Sequence, residues 1–151
     1  MNQIDSRLLS GRPAATAVIQ GSPLYPTLRG HVRFFPAPGG TLVVAELWNL
    51  PGDGFFAMHL HSGNQCDGNS PKPFSSAGEH WSIGRQVHPY HTGDLPVLLS
   101  NHGYAWNAVF TERFRPQQAK GHTLIIHSMP DDFRTQPAGN AGDRIGCGVV
   151  R

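Results

Sequence analysis

From Ala14 onward the chain reads as short runs of apolar and polar residues in alternation, each ended by glycine, proline or asparagine. Ala14 to Gln20 is the first run, and Gly21-Ser22-Pro23 breaks it. Leu28 to Pro36 follows, with Val32, Phe34 and Phe35 as core candidates, and Pro36-Ala37-Pro38-Gly39-Gly40 forces a turn. Thr41 to Trp48 is dense in β-branched and aromatic residues, which suit a pleated surface. Phe55 to His61 makes a fourth strand. After it, from Ser62 to Asp94, the period-two pattern is lost for about thirty residues, a length that marks a loop as functional or disordered. Leu95 to Asn101 and Tyr104 to Phe110 then pair around His102-Gly103. Gly121 to His127 is the strongest strand pattern in the chain, and a second loop, Ser128 to Arg144, leads to the closing strand Gly146 to Val150. Strands joined by short turns form antiparallel neighbours. Eight such strands predict an all-β fold, an antiparallel Greek-key barrel or sandwich, immunoglobulin-like, with two long functional loops.

Composition narrows this picture. The 151 residues suffice for one domain with a substantial core. Its 18 glycines and 13 prolines, with only 15% charged residues, favour strands and turns over helices. Residues 1–13 read as a flexible N-terminal leader of mixed polarity, and 14–151 as the single domain. The formal charge of +2 is spread over scattered lysines and arginines, so no nucleic-acid partner is expected. No window approaches the roughly 20 apolar residues of a membrane span, and no membrane partner is expected. The first ten residues lack an apolar secretory core, which points to the cytoplasm as the sequence stands, or to an extracytoplasmic site where a leader has been removed. Cys66 and Cys147 lie far apart and neither belongs to a Cys-X-X-Cys motif. A disulfide between them would close a loop of about 80 residues and contribute roughly 4 to 5 kcal/mol in the chain-entropy picture; a reducing cytosol would oppose it.

Histidine carries the candidate chemistry. Alternation puts His59 and His61 on one face of their strand, with Met58 and Leu60 turned the other way into the core. A lone His-X-His is a weak sign of metal. Here it is followed by His80, His88, His91, Asp94 and His127, a much stronger array, and neutral imidazole suits copper, zinc, iron and nickel. His31, His102 and His122 read as surface or hydrogen-bonded histidines, Trp48, Trp81 and Trp106 as core or interface residues, and Glu79 as a neighbour of a ligand.

Five blocks then form a pattern: Phe56-Ala57-Met58-His59-Leu60-His61; Ser76-Ala77-Gly78-Glu79-His80; His91-Thr92-Gly93-Asp94-Leu95-Pro96; Leu124-Ile125-Ile126-His127; and Gly139 through Val149. In this order they resemble the copper/zinc superoxide dismutase family, above all its bacterial branch, over most of Ala14 to Val150. The resemblance implies copper at His59, His61, His80 and His127 and zinc at His80, His88, His91 and Asp94, with the His80 imidazolate bridging both. It further implies that Asp131 links a copper histidine to a zinc histidine, that Arg144 attracts the anion beside copper, and that Cys66 pairs with Cys147. The implied substrate is superoxide, two anions and two protons giving O2 and H2O2, with His80 as ligand and proton donor; the family's bacterial members are monomers or homodimers. Some positions depart from the pattern. His88 and His91 are only three apart, Cys66 is shifted towards His61, Pro137 stands where some relatives carry a steering lysine, and Asp143 adjoins Arg144, a loss of positive charge for which Arg134 is the candidate replacement. The competing reading is a dismutase-like metal-binding module without turnover, a metal buffer or structural domain. A zinc hydrolase lacks a general base beyond Glu79.

Overall fold

The computed structural model describes residues 6–68 and 71–151. Nine strands form one antiparallel sheet: β1 (Ala15–Gly21), β2 (Arg29–Ala37), β3 (Gly40–Trp48), β4 (Gly54–Phe56), β5 (Met58–His61), β6 (Leu98–Asn101), β7 (Tyr104–Thr111), β8 (Thr123–His127) and β9 (Arg144–Val149). Their spatial order is β4-β6-β7-β3-β2-β1-β9-β8-β5. The first three strands make the expected meander around the Pro38-Gly39 turn, and β7 returns beside β3 to complete the Greek key.

The strand count differs from the expected eight because Phe55 to His61 is two strands. Phe56 pairs with Leu98 of β6, whereas Ala57 N already donates to Met129 O and Met58 pairs with Ile126 of β8. A single extended stretch thus serves both ends of the sheet, and this closes it into a barrel. Leu95 to Val97 is likewise not strand, since pairing begins only at Leu98. A four-residue helix, α1 (Pro116–Ala119), sits between β7 and β8 where no element was expected; Pro116 starts it, and Arg115 N donates to Gln118 Oε1 at 2.7 Å. Part of the leader is docked rather than frayed. Ser6–Ser10 is a 3-10 helix whose Leu8 packs on Phe35, Leu42 and Val44. The rest of the leader before Ser6 lies outside the described residues.

The core is filled by alternate residues of the strands, among them Ile19, Phe34, Leu47, Leu60, Leu124 and Ile126, all fully buried. In β5 both faces are covered. Met58 and Leu60 enter the core as alternation predicts, and His59 and His61 face away from it but are 0% and 1% exposed. What covers them is the loop from Ser62 to Val97, which also occupies the free edge of β5: Leu60 N donates to Gly93 O at 2.9 Å, and Trp81 N to Leu60 O at 2.8 Å. An edge strand left open would expose unpaired amides and carbonyls. Gly93 permits this contact, because a Cβ there would stand 2.3 Å from Leu60 O. The loop is fastened to β9 by a Cys66–Cys147 disulfide, packed with Phe74, Ala77 and Ile125.

Candidate metal centre

Two groups of side chains converge above β5. His59, His61, His80 and His127 offer ligand atoms within 4.8 Å of one another, and so do His80, His88, His91 and Asp94. His80 belongs to both. In the first group two ligands come from β5 and one from the end of β8, while only His80 comes from the loop.

The hydrogen-bond pattern leaves lone pairs facing each other. His61 Nδ1 donates to Gly78 O at 2.9 Å and His127 Nδ1 to Gly142 O at 3.5 Å; a carbonyl only accepts, so both rings carry their proton on Nδ1. Their Nε2 atoms, both bare, then lie 3.4 Å apart. His59 Nε2 donates to Asp131 Oδ2 at 2.6 Å, which leaves its Nδ1 buried without a partner. His80 Nε2 is also buried and unpartnered. Burying four acceptors without a donor is costly, and a cation among them removes the cost.

The second group shows the same deficit. His80 Nδ1 lies 2.7 Å from Asp94 Oδ1, and the Nδ1 atoms of His88 and His91 each lie 3.1 Å from Asp94 Oδ2. Neither of the latter two makes a hydrogen bond. His88 spends its Nε2 proton on Asp131 Oδ1 at 2.8 Å, so its Nδ1 faces the carboxylate as a second acceptor. His80 is thus oriented with Nδ1 to the mixed group and Nε2 to the all-histidine group. Asp131 joins the two groups by fixing one ring in each. Room for it depends on Gly139, where a Cβ would stand 2.0 Å from Asp131 Oδ1.

Electrostatics keeps these rings ready to ligate. Burial pushes His61 and His127 well below the ordinary histidine range and lowers His59 as well, against the opposing pull of Asp131. Burial alone would raise Asp94 and Asp131, yet both carboxyls lie below their usual range because of His80 on the first and of His59, the Phe133 amide and His88 on the second. Neutral rings and ionised carboxylates are the forms that bind a metal.

Beside the all-histidine group opens a cavity of about 350 Å³, lined by Lys72, Ser75, Gly78, Glu79, Asp143 and Arg144 among others. Arg144 donates to Phe74 O at 2.7 Å and Gly78 O at 2.6 Å, and the Gly78 carbonyl also holds His61. Burial lowers the Arg144 pKa somewhat and Glu79 opposes the shift; at neutral pH it remains a cation.

Comparison with known proteins supplies the family. The family model described as copper/zinc superoxide dismutase (SODC) matches residues 28–150. The chain belongs to the copper/zinc superoxide dismutase family. A copper-zinc superoxide dismutase of Aquifex aeolicus is 32% identical over 137 residues, 81% of this chain and 79% of that protein. One from Legionella pneumophila is 32% identical over 141 residues, 90% and 86% of the two chains. The copper/zinc superoxide dismutase from Brucella abortus shares the fold with a TM-score of 0.80 at 27% identity, over 91% of this chain and 99% of that one.

Within the copper/zinc superoxide dismutase frame, the all-imidazole group fits a redox-cycling copper and the group with one carboxylate fits zinc. The three-residue spacing of His88 and His91 does not prevent convergence, since both reach one oxygen of Asp94. His31, His102 and His122 stay outside both groups. His31 lies 3.3 Å from Glu46, and His122 stacks on Trp81. Trp81 is buried in the core, whereas Trp106 is half exposed. Arg134 is not among the residues that line the cavity; the second cation there is Lys72. Sequence reasoning missed Lys72, Arg113 and Gln136. Gln136 accepts from His88 N and donates to His88 O, pairing with that residue as a strand would. None of the three sits in a recognisable motif, and their partners at the centre are mostly backbone atoms.

Proposed function

We propose that this chain is a superoxide dismutase, with copper held by His59, His61, His80 and His127, zinc by His80, His88, His91 and Asp94, and the substrate anion drawn in beside Arg144. One observation carries the reading: two clusters of ligand atoms, several of them buried nitrogens without a hydrogen-bond partner, share a single ring, with a cavity bearing an arginine next to the all-histidine cluster. Copper bound there would supply one-electron chemistry, by which one superoxide is oxidised to O2 and a second, with two protons, is reduced to H2O2. The residues supply the rest. Arg144 and Lys72 place positive charge at the mouth beside the acidic Glu79 and Asp143, so the attraction for an anion is local to these two cations rather than spread over the cleft. His80 Nε2 has no protein partner and faces the all-histidine cluster, so whenever copper did not occupy it that nitrogen could carry a proton to the place where the reduced product needs one. Its Nδ1 is fixed on the zinc side, which keeps the ring in place during that transfer. Asp131 orients His59 and His88 together.

No helix among the described residues is long and apolar enough to cross a membrane. The Cys66–Cys147 disulfide favours an oxidising, extracytoplasmic compartment over the cytoplasm. The test is superoxide dismutation by protein loaded with copper and zinc, compared with its His61→Ala variant. The variant is expected to fall to the rate of metal-free protein. Equal rates in the two would leave a metal-binding module without turnover.

A further inference from the structure

Arg113 lies outside both clusters and outside every block that carries the family resemblance. It stands just past the end of β7, on a rigid base. Its amide donates to Thr111 Oγ1 at 3.2 Å, and the next residue, Phe114, is 1% exposed and packs against Phe34 and Trp81. From there its Nη1 reaches three carbonyl oxygens of the zinc loop: Pro89 at 3.0 Å, His91 at 2.9 Å and Asp94 at 3.1 Å.

Those carbonyls have few other partners. Residues 81–97 form no helix or strand, and of the three only His91 O accepts from a further donor, the Asp94 amide at 3.2 Å. A segment that turns His88, His91 and Asp94 inward within seven residues has to turn carbonyls outward. One charged nitrogen gathers three of them, two belonging to ligand residues and one adjacent to a third. Hydrogen bonds from a cation are roughly twice as strong as neutral ones. Gln136 grips the same segment at His88, so between its backbone contacts with β5 at Trp81 and Gly93 the ligand loop is held from both sides by side chains.

We propose that Arg113 is a positioning residue for zinc: it sets the backbone of His91 and Asp94 so that their ligand atoms converge before the metal arrives. The proposal rests on the ligand reading given above. Its test is the affinity of the metal-free protein for Zn2+, by chelator competition, and for Co2+, by the visible d–d bands that report coordination geometry, in wild type, Arg113→Met, Arg113→Lys and His91→Ala. Arg113→Met is expected to bind both ions about tenfold or more weakly and to show an altered Co2+ spectrum. Arg113→Lys, with three donors on one nitrogen but a stem one bond shorter, is expected to recover part of the affinity. A merely structural role would lower the melting temperature and leave Co2+ affinity and spectrum unchanged. A folded Arg113→Met with wild-type affinity and spectrum, while His91→Ala has lost both, overturns the proposal alone. Should Arg113→Met fail to fold, wild-type affinity in Arg113→Lys together with wild-type affinity in Arg113→Gln overturns it. Wild-type affinity in His91→Ala overturns the ligand reading and this proposal with it.

Discussion

The two halves of the metal centre are built differently. The copper-fitting half stands on strands: His59 and His61 on β5 and His127 at the end of β8, locked by the ladder that pairs Met58 to His61 with Ile126 to Thr123. The zinc-fitting half comes from one loop between His80 and Asp94, without a ladder, and its shape is kept by Arg113, Gln136 and Asp131 from outside. A strand places its ligands with or without metal, because its hydrogen bonds and core packing do not involve them. A loop held by a few side chains depends on its metal for the remainder. The difference teaches where rigidity is located: the all-histidine half is set by strands, whereas the loop half is set by a few side-chain anchors and would take the rest of its order from its metal.

Removing the metals should expose this contrast most strongly. With free Zn2+ a hundredfold above its dissociation constant, ligation adds about 2.7 kcal/mol, so amides such as Ile83, His88 and Gly93 should exchange about a hundredfold faster in metal-free protein. Those of Leu124 and Ile125, paired inside the sheet, should change far less; equal acceleration in strand and loop would break the comparison. Next in size is Asp131, the carboxylate common to both halves. Asp131→Ala should weaken copper and zinc together, each by tens of fold, since it orients His59 and His88 alike. Loss at one site only, read by titrating each metal separately, would show that the halves are independent. The smallest effect belongs to the mouth. Arg144→Gln should slow dismutation by roughly tenfold and flatten its dependence on ionic strength while metal content stays intact. An unchanged salt dependence would remove Arg144 from anion guidance.

How much of this was legible beforehand follows from the same contrast. His59 and His61 were readable from strand alternation alone, because a period of two fixes which side chains share a face. The loop ligands have no such period, and His80, His88, His91 and Asp94 acquired roles only through resemblance. The break at Ala57 was hidden because Phe55 to His61 alternates without interruption; what divides it is a change of pairing partner from β6 to β8, a tertiary event. Arg113, Gln136 and Lys72 were illegible for another reason. They act on carbonyls or on a cavity, and a long polar side chain whose partner is backbone leaves no pattern in the sequence. The docking of Ser6–Ser10 leaves no mark in the sequence because its apolar anchor, Leu8, finds its partners on β2 and β3, distant along the chain.

The account depends on a single ring serving two cations. Anomalous diffraction from crystals of copper- and zinc-loaded protein, recorded at both absorption edges, measures this directly. The predicted result is zinc within bonding distance of His80 Nδ1, on the Asp94 side, and copper within bonding distance of Nε2, on the side of His61 and His127. Finding either metal bound without His80, or both on the same nitrogen side, would contradict it.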